Sequence, residues 1–235
     1  MTKEYFVLYT PEDMNKAYEL FSKEFSRAEI FDVLKSSDDI KKQVCLLKLD
    51  DLTSTEEAEI LVSVLTGQHG PVREICSAKI NEFVKNEEYR NFFDNERLSG
   101  IILDALNDII PTVARNISEV INLFPQKDYL RKRLMDRILE VENCPLEEMP
   151  SGNHEITRTN FKLYWYLDAL AFMVDENDNS ETLSEIIRNS YTHEDYTIRE
   201  KVANILSKLK GFQQYKDSLK NDENPYVSRN LKNVL

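Results

Sequence analysis

Apolar residues recur at helical spacing in five segments of the chain. The segments read DIKKQVCLLKLDDL, PVREICSAKINEF, TVARNISEVINLF, TIREKVANILSKL and YVSRNLKNVL. Steps of four, four and three residues keep side chains on one stripe of a helix, so the pattern predicts amphipathic α-helices. The stripe consists of Ile40 and Val44; Val72, Cys76, Ile80 and Phe83; Val113, Ile117, Ile121 and Phe124; Ile198, Val202, Leu206 and Leu209; and Val227, Leu231 and Leu235, with Lys48 and Asp51 as exceptions in the first segment.

The spacing of these segments indicates a repeated unit. Their first stripe residues are 32, 41, 85 and 29 residues apart, so the longest interval should contain a further copy. The segment NFKLYWYLDALAFMVD supplies it, with Leu163, Leu167, Ala171 and Val174 at the same steps. Further helical segments alternate with these six, and a single hairpin cannot bury its own apolar face. We therefore expect stacked helical hairpins, with a non-repetitive helical bundle as the alternative.

Turn and capping residues indicate where the array begins and where it is interrupted. Thr10 and Pro11 can cap and start a helix, which predicts N-terminal capping helices within residues 10–35. Residues 143–159 contain two prolines and one glycine, which predicts an inserted loop. Such a loop either binds a partner or is a tolerated excursion. The whole chain, 1–235, is predicted to be one domain.

A basic residue directly follows the first stripe residue in Val72-Arg73 and Ile198-Arg199, and polar turns such as HGP, HEDYT and NDENP precede the helices. This combination resembles the first-helix pattern of HEAT repeats, a family of armadillo-like α-solenoids. The resemblance implies an all-α fold, an α-α superhelix of about five to six hairpins. It also implies a scaffold that binds a protein or peptide without chemistry of its own, which is an argument by analogy.

Composition and charge agree with helices and narrow the class of partner. Five glycines and seven prolines are too few for the frequent turns of an all-β protein. The chain has 30 basic and 42 acidic side chains, a net charge of −12, which disfavours nucleic acid as a partner. Residues 1–180 carry the excess of acid, whereas 181–235 are nearly neutral. That acidity either solvates the surface or attracts a basic partner.

The sequence indicates a cytoplasmic protein without bound cofactor. It shows no signal peptide and no apolar run long enough for a membrane helix, so no membrane partner is expected. Cys45, Cys76 and Cys144 lack the paired spacing of disulfides or zinc sites. HExxH, CxxC, GxSxG and phosphate-binding glycine loops are absent, so we expect no enzyme, no metal and no cofactor. The oligomeric state is left open.

An enzymatic role is the alternative to a pure scaffold. A HEAT-like enzyme, or a lyase or chaperone subunit, would act on a bound macromolecule. A HEAT-like DNA glycosylase would need a basic groove, and the net charge of −12 disfavours it.

Two groups of residues are candidates for binding a partner. Arg131, Arg133 and Arg137 form a basic patch on one predicted helix. The resemblance to HEAT repeats implies that the second helix of each hairpin lines the concave face of the array. Arginines on that face can bind an acidic peptide or a phosphate. Pairing with Asp128, Asp136 and Glu140 is the alternative. Tyr164 and Trp165 belong to a cluster of rings that cannot all face the core, so one is expected to be exposed as an anchor. Packing against the 143–159 loop is the alternative for these rings.

Overall fold

The computed structural model describes residues 9–125, 127–143 and 158–232, which form helices joined by short turns and contain no strand. The chain divides into two compact units, residues 1–126 and 127–235. The single domain expected from the sequence stays a prediction.

The first unit contains the helices α1 to α8. Short 3₁₀ turns follow α4, at Val64–Thr66, and α6, at Asn91–Phe93. The helices are α1 Pro11–Phe21, α2 Arg27–Leu34, α3 Asp39–Leu47, α4 Thr55–Ser63, α5 Gly70–Lys85, α6 Glu87–Arg90, α7 Glu96–Ala105 and α8 Pro111–Leu123.

These helices form two layers, and within each layer a helix packs on the next member of the same layer. In the first layer, α1 packs on α3, α3 on α5 and α5 on α8. In the second layer, α2 packs on α4 and α4 on α7. Because each helix contacts the next one of its own layer, the hairpins stack in sequential order, as a repeat array requires.

The second unit repeats this alternation with the helices α9 to α14. The helices α10, α12 and α14 pack in succession, and α9 contacts both α10 and α11. Residues 144–157 of the predicted loop lie outside the described residues, and Arg158 and Thr159 already belong to α10. The helices are α9 Lys127–Glu142, α10 Arg158–Ala171, α11 Glu181–Ser190, α12 Tyr196–Lys208, α13 Gln213–Lys220 and α14 Pro225–Lys232.

The predicted apolar stripe forms the core in both units. Its residues are buried from α3 to α14, and Cys76, Ile117 and Val202 have no exposed surface. Two positions differ, because Ile40 at the start of α3 and Val174 beyond the end of α10 are only half-buried. Leu235 lies outside the described residues. The stripe prediction is therefore confirmed for the first helices.

Arg73 links consecutive repeats of the first unit through a buried ion pair. Its guanidinium contacts the Asp108 carboxylate at 2.5 and 3.1 Å, and donates to the carbonyl oxygens of Gly67 and Gln68 at 2.9 and 2.7 Å. The Asp108 side chain also accepts from the Ile110 amide at 2.9 Å, ahead of α8. Arg73 thus fixes both the turn before α5 and the turn before α8, the next helix of the first layer.

The second unit contains the same arrangement of ion pair and hydrogen bonds at Arg199. Its guanidinium contacts the Asp222 carboxylate at 2.7 and 3.1 Å and donates to the carbonyls of His193 and Glu194. The Asp222 carboxylate also accepts from the Asn224 amide. These hydrogen bonds, above all those from Arg199, hold the pKa of Asp222 below its usual value.

We expect the stability of the protein to depend on the charge of Asp222. A depressed folded-state pKa gives stability that is present above the unfolded pKa of about 4 and is lost as the pH falls through the folded pKa. Asp222→Asn should therefore cost about 1.5–3 kcal/mol at neutral pH, and the difference from the wild type should shrink in acid. Urea unfolding from neutral to acidic pH measures this, with exposed Asp217→Asn as the control. A difference that grows in acid would contradict the account.

Candidate functional site

The predicted basic patch lies on α9, and the structure separates its members. Arg131 is half-buried and pairs with Asp178, which precedes α11. Arg137 is half-buried and makes an interaction of its own. Arg133 is exposed, and so is Lys132 beside it. Of the three predicted arginines, Arg133 alone presents an exposed side chain to a partner.

The ring cluster on α10 packs inward. Trp165 is 8% exposed and lies edge to face with Tyr164 and Phe161, at centroid distances of 5.0 and 6.4 Å. Trp165 is therefore buried, whereas Tyr164 and Phe161 are half-buried. Helix α10 has α9 and α12 as neighbours, and these bury more of its circumference than an amphipathic stripe would. The binding of a partner by Tyr164 or Trp165 stays a prediction.

Tyr164 has a structural partner in Lys201 of α12. The Lys201 ammonium lies 4.3 Å from the centre of the Tyr164 ring and donates to Asp168 Oδ1 at 2.8 Å. Burial is the largest single effect and lowers the pKa of Lys201, but the hydrogen bond with Asp168, the charge of Asp168 and the contact with Tyr164 together outweigh it, so the pKa is raised. The half-buried Tyr164 therefore helps to join α10 to α12.

A different surface stands out in the first unit, on the outer side of its second layer. The helices α2, α4 and α7 bury one side each, and the opposite sides form an exposed or half-exposed stripe that faces away from the first layer. We call this stripe the acidic face. Its residues are Glu29, Asp32, Glu56, Glu59, Ile60, Ser63, Arg97, Gly100, Ile101 and Asp104.

The charge of the first unit is concentrated in these second helices. The helices α2, α4 and α7 contain seven acidic and two basic residues. The first helices α1, α3, α5 and α8 contain seven of each, so that layer is balanced. Arg27, one of the two basic residues, is held by Glu57 and Asp51 at 2.5 Å. Five of the residues that form the acidic face are acidic and one, Arg97, is basic, so the face carries a net negative charge.

Apolar and open positions lie among the carboxylates. Ile60 of α4 and Ile101 of α7 are half-exposed within the acidic face. A methyl group added at Gly100 would meet nothing within 4 Å. A shallow open depression beside α2 is lined by Asp32 together with Glu29, Val33, Ser36, Asp38 and Lys41. The face therefore offers charge, apolar surface and room for another chain.

Sequence reasoning missed the acidic face, because its carboxylates form no motif. Asp32 and Glu56 are 24 residues apart and come together only when successive second helices stack. The signal that could have found them is the charge of each helix, counted separately for first and second helices.

The described residues give no sign of a metal site or a membrane span. In residues 9–125, 127–143 and 158–232, no three histidine, cysteine or acidic side chains are grouped as metal ligands would be. Nor is any helix in those ranges long and apolar enough to cross a membrane.

Comparison with known proteins finds likeness in structure alone. No family model matches the sequence. No curated protein matches it significantly.

Several solved structures share the arrangement of helices. A computationally designed armadillo repeat protein for modular peptide recognition matches 88% of this chain and 97% of its own, with a TM-score of 0.50 and 13% identity. Two engineered proteins from a structural genomics consortium match 86% and 89% of this chain and 92% and 96% of their own, with TM-scores of 0.50 and 0.52 and identities of 13% and 12%. At such identities the likeness shows the fold alone. The chain has an all-α, armadillo/HEAT-like α-solenoid fold.

Proposed function

We propose that this protein is a non-enzymatic scaffold that binds a segment of another protein along the acidic face. The observation that supports this most strongly is the excess of carboxylates in α2, α4 and α7 over a charge-balanced first layer. A fold neighbour designed for modular peptide recognition lends further support, since its architecture suits the binding of an extended chain.

Glu29 and Glu59 help to hold the helices of this face, because Glu29 accepts from the Ser26 amide at 2.8 Å and Glu59 accepts from the Asn95 side chain at 2.8 Å. Asp32 and Glu56 are exposed, and exposed ion pairs contribute about 0–1 kcal/mol to stability at most. A field of one sign, in contrast, speeds the approach of a partner of opposite charge and selects against partners of the same charge. The acidic face is therefore suited to recognition and association.

Reversing charge on the acidic face should weaken binding of a basic peptide by about tenfold or more. The test compares Asp32→Lys/Glu56→Lys with Glu19→Lys/Glu82→Lys, which makes the same change of net charge at exposed residues of the first helices α1 and α5. Fluorescence anisotropy with labelled peptides of about 12 residues, basic or acidic, gives the affinities.

The control pair should bind within about twofold of the wild type, and the affinity should fall as salt is raised. Equal losses in both double variants would mean that overall charge, rather than the acidic face, governs binding. Melting temperatures measured in parallel show whether each variant is folded.

The exposed Arg133 of α9 stays a separate proposal, as a contact for an acidic segment. Helix α9, which carries Arg133, is close to neutral in charge, with five basic and four acidic residues. Arg133→Glu should weaken any binding of the acidic peptides and leave the basic ones unaffected, in the same assay.

A further inference from the structure

Helix α1 has a broad apolar side that the first unit uses only in part. Leu20 is the buried residue of this helix, and Ala17 is half-buried. The side chains of Met14, Tyr18 and Phe21 are 48%, 73% and 49% exposed. Steps of four and three residues place these three on one stripe of the helix, beside the buried side. An amphipathic helix normally packs such a stripe on a neighbour, so this stripe is left without one.

The place of α1 in the first layer explains why the stripe is open. Within that layer α3 lies between α1 and α5, and α5 lies between α3 and α8. Among residues 9–125, α1 is the first helix of the layer and packs on α3 at one side. The terminal helix of a repeat array usually carries a polar outer face. An apolar patch in that position marks a contact with another chain.

The charges of α1 are kept away from this stripe. Around the helix, three charged residues lie about 140–200° from Met14. They are Glu12, Lys16 and Glu19. The Asp13 carboxylate is turned to the N-terminus, where it accepts from the Thr10 amide at 2.9 Å. The exposed residues at the outer edge of the stripe, Asn15 and Ser22, are uncharged.

This distribution of charge favours a second copy of the chain as the occupant. With a net charge of −12, two copies repel each other over most of their surface, and an uncharged stripe is where they can meet. The Lys48 ammonium lies 5.6 Å from the centre of the Phe21 ring and donates to the Lys23 carbonyl at 3.0 Å. If two α1 helices pack antiparallel, the two Lys48 side chains lie at opposite ends of the contact and do not repel each other.

We infer that Met14, Tyr18 and Phe21 form a contact between two copies of this chain, in which the α1 helices pack antiparallel about a two-fold axis near Tyr18. Met14 then opposes Phe21 of the second copy, because the two residues lie about one turn to either side of Tyr18. A two-fold contact uses the same patch on both copies, which a stripe of this symmetry allows. The antiparallel arrangement also sets the helix dipoles in opposite directions.

The size of the stripe predicts a weak dimer. The three side chains expose roughly 350 Å² per copy. Stable interfaces bury about 800 Å² per partner, so we expect a dissociation constant in the micromolar range. The contact involves α1 of the first layer, so it is independent of the function proposed for the acidic face of the second layer.

Sedimentation velocity of the native chain, over about 1–300 μM, tests the contact. The sedimentation coefficient should rise with concentration towards that of a dimer. Tyr18→Lys should raise the dissociation constant by about tenfold or more, because it sets two ammonium groups against each other in an apolar contact. Tyr226→Lys makes the same change at a ring of α14 that is 52% exposed, and it should leave the dimer unchanged. Circular dichroism melting shows that each variant is folded.

An equimolar mixture of Tyr18→Lys and Tyr18→Glu chains tests the two-fold pairing. Each variant alone opposes like charges, whereas the mixture opposes unlike charges, so association should return in the mixture. A mixture that stays as monomeric as either variant would overturn the antiparallel pairing at Tyr18. A native chain that is monomeric at the highest concentration would overturn the contact between copies. So would a Tyr18→Lys dimer as tight as the native one, or equal losses in Tyr18→Lys and Tyr226→Lys.

Discussion

Arg73→Ala is expected to destabilise the protein by about 3–5 kcal/mol, because it leaves a buried carboxylate without its partner. The side chains of Arg73 and Asp108 are 10% and 5% exposed, so water can do little to replace the lost hydrogen bonds. The carbonyls of Gly67 and Gln68 lose their donor as well. Since a domain is stable by about 5–15 kcal/mol, the loss is a large share of the total.

Chemical denaturation with circular dichroism measures this effect, and Lys85→Ala is the matched control. Lys85 pairs with Glu119 at 3.2 Å, but the two side chains are 55% and 48% exposed, so its loss should cost under about 1 kcal/mol. A comparable small loss for Arg73→Ala would show that the ion pair does not join the repeats.

Ile117→Ala is the second large expected effect, at about 2–5 kcal/mol. Ile117 has no exposed surface and belongs to the apolar stripe of α8, which packs on α5 and α7. Removing three carbon atoms loses buried apolar area and leaves a cavity that the packed helices fill only in part. The effect is large because the stripe is buried only by neighbouring helices of the array.

Ile109→Ala makes the same chemical change at a residue that is 40% exposed, just ahead of α8. It should cost about 0.5 kcal/mol or less. Both variants are compared by urea unfolding. Equal losses at Ile117 and Ile109 would contradict the burial of the predicted stripe.

The fold could be predicted where burial of one side of a helix produces a periodic pattern of apolar residues in the sequence. Residues such as Cys76 and Ile117 sit at steps of four and three because one side of each first helix faces the core. Ile40 departs from the pattern because α3 is close to the N-terminal end of the array and has fewer neighbouring helices to cover it. The pattern says which side of a helix is buried and says little about how far that burial extends around it.

Contacts between distant residues explain what the sequence did not reveal. Arg73 and Asp108 are 35 residues apart, and only the stacking of hairpins brings them together. Trp165 could be placed on a side of its helix, but its burial depends on the helices on either side of α10. The paired state of Arg131 likewise depends on Asp178, from a turn about 47 residues further along.

The acidic face illustrates the same limit for function. The acidity of the chain was evident from composition, yet its placement on second helices required the helix bounds and the order of the layers. The proposed binding surface thus consists of residues that the apolar pattern does not report.

Zero-length cross-linking of a lysine-containing peptide of about 12 residues to the native protein tests the central proposal most directly. A carbodiimide joins a lysine amine to a carboxylate only when the two are in contact, and mass spectrometry identifies the joined residues. The acidic face predicts cross-links at Asp32, Glu56 and Glu59. Cross-links concentrated at Glu19 and Glu82 of the first helices, or in residues 127–235, would contradict it.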